Sequence, residues 1–328
     1  MDHPKSEFNR KIRTVLIVTL TAGCLILSVG CTSFQDIKRK AVRLSEQTTR
    51  KIADLSELKF RQNSEKKKIA IAAITDQTDF RIKQFGDPLQ KHLVAQLKKM
   101  CSNNMYLSSG DEAYPDILRQ LPRHVDGRID NFALMESARQ VGLNTVISGT
   151  VIDIRTYTDE RGMLWFRDTH KFLQVLVNIE AYDTETGAKL TDESYLYETE
   201  LDLVEFDDDA STKHDLIPII DEAIADAATY LADQICYALG SQEWSGYITA
   251  VDGTRIEISS GKKMGLSVDQ VLSVYDVGTL IQGIGEERFF QPGGKIGEIR
   301  ITEAGEDRST AVSVSGETVP AGSVVKLK

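Results

Sequence analysis

The sequence predicts an α+β protein: a mixed sheet with helices on one face, followed by a small all-β barrel or sandwich. Three observations predict it. Between Lys67 and Leu239, strand-like runs and helical stripes alternate in the order β-α-β-α-β-β-β-α. One pair of runs, separated by Asp183–Gly187, alternates apolar and polar residues as a hairpin does. Beyond Gly240 the helical period disappears, and more than half of the 23 glycines lie there, as short strands joined by tight turns require. A sheet buries its apolar face most simply under helices, which gives the class.

The elements follow in order. "KKIAIAAITD" (Lys67–Asp76) is a short apolar run ended by polar turn residues, the pattern of a buried strand. Asp87-Pro88 opens a helix, because proline's missing N–H costs nothing in the first turn. Leu89, Leu93, Val94, Leu97 and Met100 form its apolar stripe. "NMYLSS" reads as a second short strand. Asn131–Val141 is a helix with Phe132, Met135, Ala138 and Val141 in register, stopped by Gly142. "TVISGTVIDI" is the next strand, and Arg155 to Lys171 reads as a short charged connection. "FLQVLVNIEAYD" points Leu173, Val175, Val177, Ile179 and Ala181 one way and Gln174, Asn178 and Glu180 the other. "DTETG" turns the chain, and Lys189 to Leu203 returns as the partner strand. After an acidic loop, Leu216 to Leu239 is a long helix with Leu216, Ile220, Ala223, Ile224, Ala227, Leu231 and Ile235 on one face. The C-terminal strands are "YITAVDG", "TRIEIS", "QVLSVYDV", "GKIGEIRITEA", "STAVSVS" and "GSVVKLK".

The amino terminus carries a leader. Arg10, Lys11 and Arg13 precede an uncharged run from Thr14 to Gly30, at the short edge of the ~20 residues a spanning helix needs. A secretory signal has the same basic start and apolar centre. Gly30-Cys31, followed by Thr32 and Ser33, resembles a bacterial lipobox, in which the cysteine is lipidated and becomes residue one. Three readings stand: lipid on Cys31, an uncleaved inner-membrane anchor with periplasmic domains, or cleavage elsewhere, with Gly23-Cys24 as the rival site. Each sends the rest of the chain across the inner membrane. With lipid on Cys31, Thr32 in second place resembles an outer-membrane address. The organisation is then a signal over residues 1–30, a polar helical tether over 31–65, an α/β domain over 66–240 and a β domain over 244–328.

Composition limits the function. The 328 residues are 41% hydrophobic and 27% charged, an ordinary globular balance. The net charge of −10 argues against nucleic-acid binding, which needs a basic face. Removal of Cys24 and lipidation of Cys31 leave Cys101 and Cys236, each near the end of a helix. In an oxidising compartment they are a candidate disulfide; the other reading is two buried thiols.

Catalytic and metal signatures are missing from the sequence. The five histidines (His3, His92, His124, His170, His214) are scattered, with no zinc-ligand spacing. There is no nucleophile elbow, no phosphate-binding lysine loop and no Cys-x-x-Cys. "GIGEER" from Gly283 begins like a dinucleotide fingerprint and breaks off. Ser64-x-x-Lys67 lacks companion motifs. Glu205 and Asp207–Asp209 lack the spacing of a calcium loop and read as a solvated loop. The expectation is no enzyme, no metal, no cofactor beyond covalent lipid (palmitate) on Cys31, and no small-molecule substrate. Trp165 and Phe166, in "RGMLWFRD", are candidates for partner contact at a hairpin tip; the alternative is that they tuck under the sheet.

Two stretches carry a family resemblance. "KKIAIAAITDQT", "ESARQVGLNTVISGTVIDI" and "VNIEAYDTETGAKL" resemble the TolB amino-terminal / curli-secretion-channel-like superfamily over about residues 66–239. The matching positions are Ala138, Gly142, Val146, Gly149, Val151, Tyr182, Asp183, Thr186 and Gly187. "SGYITAVDGTRIEISSGKKMGLSVDQVLSVYDVG" with "GKIGEIRITEAGEDRSTAVSVSGETVPAGSVVKLK" resembles the carboxy-terminal domain of flagellar assembly protein T. That family builds a ring around the basal body of some polar flagella, and its middle domain is TolB-like. It has a further amino-terminal domain where this chain has only a tether.

The resemblance implies a non-enzymatic part in envelope assembly, as a scaffold or ring component of the flagellar basal body; the resembled family is typically soluble in the periplasm, whereas the lipobox-like Gly30-Cys31 places this chain as a lipoprotein on the periplasmic face of the outer membrane. Its expected partners are the outer membrane, further copies of itself, or flagellar and envelope proteins. A lipoprotein regulator of a cell-wall synthase is the alternative. A curli-type secretion component is disfavoured, because Arg155 to Lys171 reads as too short and too charged for a spanning hairpin.

Overall fold

The computed structural model describes residues 65–112, 114–163, 166–201, 214–316 and 319–328. The leader and tether with Cys31, Trp165, and the acidic stretch Glu205–Asp209 lie outside the described residues.

A six-stranded mixed sheet is built from β1 (Lys68–Ile71), β2 (Thr75–Asp76), β3 (Met105–Leu107), β4 (Thr145–Met163), β5 (Phe166–Asp183) and β6 (Lys189–Leu201). Its order is β3-β1-β4-β5-β6, with β2 against β4. β1 runs parallel to β3 and β4; β4, β5 and β6 are antiparallel. Two long helices, α1 (Gly86–Met100) and α3 (Ile217–Ser241), cover one face. Strand alternation sends Ile69, Ile71 and Ile147, together with Leu173, Val175, Val177 and Ile179, into that core. The stripe predicted on the long helix fills it, from Leu216 and Ile220 to Ile235. Ala70, Ala72 and Val146 alternate into a second, smaller core, closed by the short helix α2 (Asn131–Gln140) through Leu134 and Ala138.

Local chemistry sets the ends of α2. The Asp130 carboxylate accepts from the N–H groups of Phe132 and Ala133 and caps the start. At the other end Gly142 lies at φ +71°. Gly142 N–H donates to Arg139 O, and Leu143 N–H donates to Ala138 O, the bond pattern of a Schellman stop. A Cβ at Gly142 would also stand 2.6 Å from the Ser259 carbonyl oxygen. The glycine therefore serves both the turn and the approach of the following β structure.

That structure is a closed six-stranded barrel, ordered β12-β13-β8-β7-β14-β9. Its strands are β7 (Gly246–Asp252), β8 (Arg255–Ile258), β9 (Val271–Tyr275), β12 (Lys295–Ala304), β13 (Ser309–Gly316) and β14 (Val324–Leu327). These are the six strand-like pieces read from the sequence. Trp244, Ile248, Ile258, Leu272, Val274, Ile299 and Val325 fill its core.

Two features depart from the sequence reading. Residues 155–163 and 166–171 are strand: β4 and β5 pair from Thr145↔Asp183 to Met163↔Phe166, apart from one bulge at Val151/Asp153. The charges there misled because strands exposed on both faces carry no apolar alternation. The argument from length against a spanning hairpin therefore fails. The charged cross-strand pairs on this hairpin include Asp159↔His170, Glu160↔Thr169 and Arg161↔Asp168. The second departure is an additional hairpin, β10 (Thr279–Gln282) and β11 (Arg288–Gln291), inserted between β9 and β12. "GIGEER" is its turn, with Gly283 N–H donating to Glu287 O.

Lys67, the second half of the Ser64-x-x-Lys67 spacing, donates from Nζ to the Leu239 carbonyl near the end of α3, where a helix exposes unpaired carbonyls. Burial, opposed by the nearby Asp183, pulls its pKa from 10.5 down to about 8. From about pH 8 to 10.5 the unfolded chain therefore holds this proton more tightly than the folded one, and stability rises with pH. Below about pH 8 the penalty is fully present. Burial pushes Tyr106 and Tyr114 up to about 12, so above pH ~10 they act in the opposite direction. The urea midpoint of the wild type should rise from pH 8 to pH 10 relative to that of Lys67→Met. Parallel pH profiles of the two proteins would refute this assignment.

Among the described residues, no helix is long and apolar enough to cross a membrane.

Candidate functional site

Three features stand together on the sheet face opposite α1 and α3: an arm, a clasp and a cavity.

The arm is the outer half of β4, β5 and β6. β4 loses its neighbour on one side after Val151, where β2 ends, and β6 is the far edge of the sheet. On the open face Phe172 is nonetheless buried. Tyr157 stacks on it at 5.4 Å between centroids, and the Arg161 guanidinium lies 3.9 Å over its ring. Tyr157 Oη donates to Glu198 (2.7 Å), Arg161 reaches the same carboxylate at 3.4 Å, and His170 Nδ1 is 2.5 Å from Glu200. These cross-strand contacts stiffen the ribbon on its face away from α1 and α3. Nearer the core, Leu196 pairs directly with Leu176, and Ile152 lies at the adjacent bulge of β4. Ile152 and Leu196 are 37% and 52% exposed, so an apolar strip crosses an otherwise polar face. Phe172→Ala should raise hydrogen exchange at amides 155–161 and 168–174 by tenfold or more, from loss of roughly 1.4 kcal/mol or more of local stability, while α3 amides stay protected. Equal exchange in both proteins would show that the ring is not what stiffens the arm.

The clasp is the β10–β11 hairpin docked on α2 and on the turn after β5. Asn131 Nδ2 donates to Gly187 O (3.0 Å) and Arg288 O (2.7 Å), and its Oδ1 accepts from Arg288 N–H (3.3 Å). Phe290 N–H donates to Thr186 O. Arg288 covers the Phe132 ring at 3.9 Å, and Arg139 covers Phe290 at 4.6 Å. The barrel uses the rest of the same turn: Thr184 Oγ1 meets Tyr247 Oη at 2.8 Å, and Lys326 pairs with Glu185 at 2.9 Å. Burial pushes the Glu185 carboxyl up in spite of Lys326. Asn144 Nδ2 donates to Ser245 O at 2.6 Å. The turn that the resemblance singled out, Asp183 to Gly187, is thus the socket that holds the barrel.

The cavity, about 260 Å³, lies between the sheet face and the loop before α2. At its floor Tyr182 Oη donates to Glu180 (2.9 Å), and Lys189 bridges Glu180 (2.5 Å) and Asp192 (2.7 Å). Burial and then the Glu180 charge hold the Tyr182 phenol well above its usual range. Burial works to lower Lys189, but its bonds to Asp192 and Glu180 outweigh it and raise the ammonium.

The sequence-predicted residues fall as follows. Cys101, at the end of α1, is joined to Cys236 of α3, with Cα atoms 5.7 Å apart. Phe166 opens β5 at the tip of the arm, opposite Met163; its side chain and all of Trp165 lie outside the described residues, as does Cys31. His124 and His170 sit on different elements, and no metal-binding cluster occurs among the described residues. Sequence reasoning missed Asn131, Arg288 and Phe290 as joining residues. "TLIQ" and "RFFQ" flanking a Gly-containing turn were the available signal.

The chain matches no protein-family model and no curated protein. Similar solved structures include bacterial lipoproteins and a TolB. Lipoprotein GNA1162 from Neisseria meningitidis is 11% identical over 49% of this chain and 99% of that one, with a TM-score of 0.28. The PelC dodecamer from Paraburkholderia phytofirmans is 13% identical over 52% of this chain and 87% of that one, at 0.29. TolB from Acinetobacter baumannii is 13% identical over 76% of this chain and 61% of that one, at 0.28. These are distant likenesses.

Proposed function

We infer that this chain is a non-enzymatic, lipid-anchored envelope protein facing the periplasm, and that it works by holding other proteins. Its specific form is a scaffold or ring component of the flagellar basal body. The observation that carries the reading is the arm: a ribbon with open edges, stiffened by its own side chains, crossed by the apolar strip Ile152–Leu176–Leu196 and fixed to a clasped barrel. A rigid body with an exposed edge and an apolar strip is suited to lateral packing with a neighbour. The Cys101–Cys236 bond favours an oxidising compartment. The order of the two resembled domains favours the flagellar form. Lipid on Cys31 would concentrate the chain at the outer membrane, raising the effective concentration for assembly.

The test is to purify basal bodies and outer membranes from the native organism and probe both for this chain. Many copies in basal bodies, with a periplasmic ring thinned by deletion, support the scaffold. Presence in outer membranes but not in basal bodies overturns the flagellar form and favours the regulator of a cell-wall synthase. Palmitate labelling lost in Cys31→Ala would establish the anchor separately.

A further inference from the structure

The charges lining the cavity are not all balanced. Lys189 is held by Glu180 and Asp192. Arg128 is held by Asp126 (2.7 Å) and by the Gly285 carbonyl (2.6 Å). Arg123 also lines the cavity; its guanidinium makes one hydrogen bond, from Nη1 to Gly127 O at 2.7 Å, and has no carboxylate partner among the described residues. Glu287, contributed by the clasp hairpin, lines it too. Its carboxylate raises the pKa of Arg128 through space but accepts no hydrogen bond and forms no ion pair among the described residues. The Gln77 amide, on the same lining, is likewise unbonded.

A cavity of about 260 Å³ is below the range of drug-sized apolar sites. One free cation, one free anion and one free amide around a small volume recognise a ligand that carries both charges. A guanidinium with unused N–H groups matches a carboxylate, and a free carboxylate matches an ammonium. We propose that this cavity binds the zwitterion of an amino acid or dipeptide, with the carboxylate on Arg123, the ammonium on Glu287 and Gln77 beside the connecting atoms. The site exists only while the hairpin is docked, because Glu287 comes from the C-terminal β structure and Arg123 from the loop before α2. This is independent of the scaffold reading.

The experiment is equilibrium dialysis of the full chain in detergent against radiolabelled alanylalanine. Competitors are alanine, N-acetyl-alanylalanine and alanylalanine amide. Saturable binding with a Kd below about 1 mM, competed at least tenfold better by zwitterions than by either blocked peptide, is expected. Alanine competing as well as the dipeptide assigns the site to amino acids; alanine competing weakly assigns it to dipeptides. Arg123→Gln and Glu287→Gln alter exposed or half-exposed groups, and each should weaken binding at least tenfold with an unchanged Tm. No saturable binding at millimolar dipeptide, equal competition by the blocked peptides, or full binding by both variants overturns the proposal.

Discussion

Replacing Cys101 or Cys236 by serine is expected to lower the free energy of unfolding by about 2–5 kcal/mol. The two cysteines are 135 residues apart in sequence, so the bond closes a long loop of the unfolded chain, and the entropic account puts its effect at the upper end of that range. The bond also ties the end of α1 to α3, the two helices that cover the main core. Tyr106 supports the corner, donating from Oη to Cys101 O at 2.9 Å. Urea unfolding of the oxidised protein, the reduced protein and Cys101→Ser should give one high midpoint and two matching lower ones. A variant within about 0.5 kcal/mol of the oxidised protein would show that the helix pair holds without the bond. An alkylation mass shift without reductant would show that the thiols are free.

The second large effect is expected at Asn131. Alanine there removes two donated hydrogen bonds and one accepted bond, leaving the Gly187 and Arg288 carbonyls unpaired beneath the hairpin. An unsatisfied buried polar group costs about 1–3 kcal/mol, so Asn131→Ala should weaken the clasp by about 2–4 kcal/mol. The loss should be local first. The Phe290 amide should exchange faster and the turn at Gly283–Glu287 should be cut sooner by protease, while barrel and sheet amides keep their protection. Asn131→Asp keeps the shape but loses the donors, and should behave like alanine. If both variants retain protection at Phe290, the cation–π contacts of Arg288 and Arg139 hold the clasp instead. A weakened clasp should also weaken any ligand that depends on Glu287.

The arm shows why local pattern fails on a surface. Leu173 to Ala181 could be read as strand because one side of β5 meets α1 and α3, and burial on one side imposes alternation. Among the described residues none of 155–163 or 166–171 joins an apolar core, so Tyr157, Asp159 and Arg161 answer to their cross-strand neighbours. Those neighbours lie from seven residues away (Arg161↔Asp168) to 41 (Tyr157–Glu198), and the farther ones fall outside any local window of sequence. The β10–β11 hairpin was missed for a similar reason. Its exposed strands lack an apolar face, and its partners on α2 are 157 residues earlier in the chain.

Sequence alone determined the order of the elements, the main apolar stripes, the Gly142 stop and the six barrel strands. Each follows from a local requirement: a period of 2 or 3.6 where one face is buried, and a positive φ where a helix must turn. Tertiary structure decided how these parts meet. It brought Cys101 to Cys236, closed the barrel, extended the arm, and set Asn131, Arg123 and Glu287 around one corner of the sheet. These are long-range pairings, selected by the packing of whole faces and the pairing of buried polar groups, and residue spacing along the chain does not encode them.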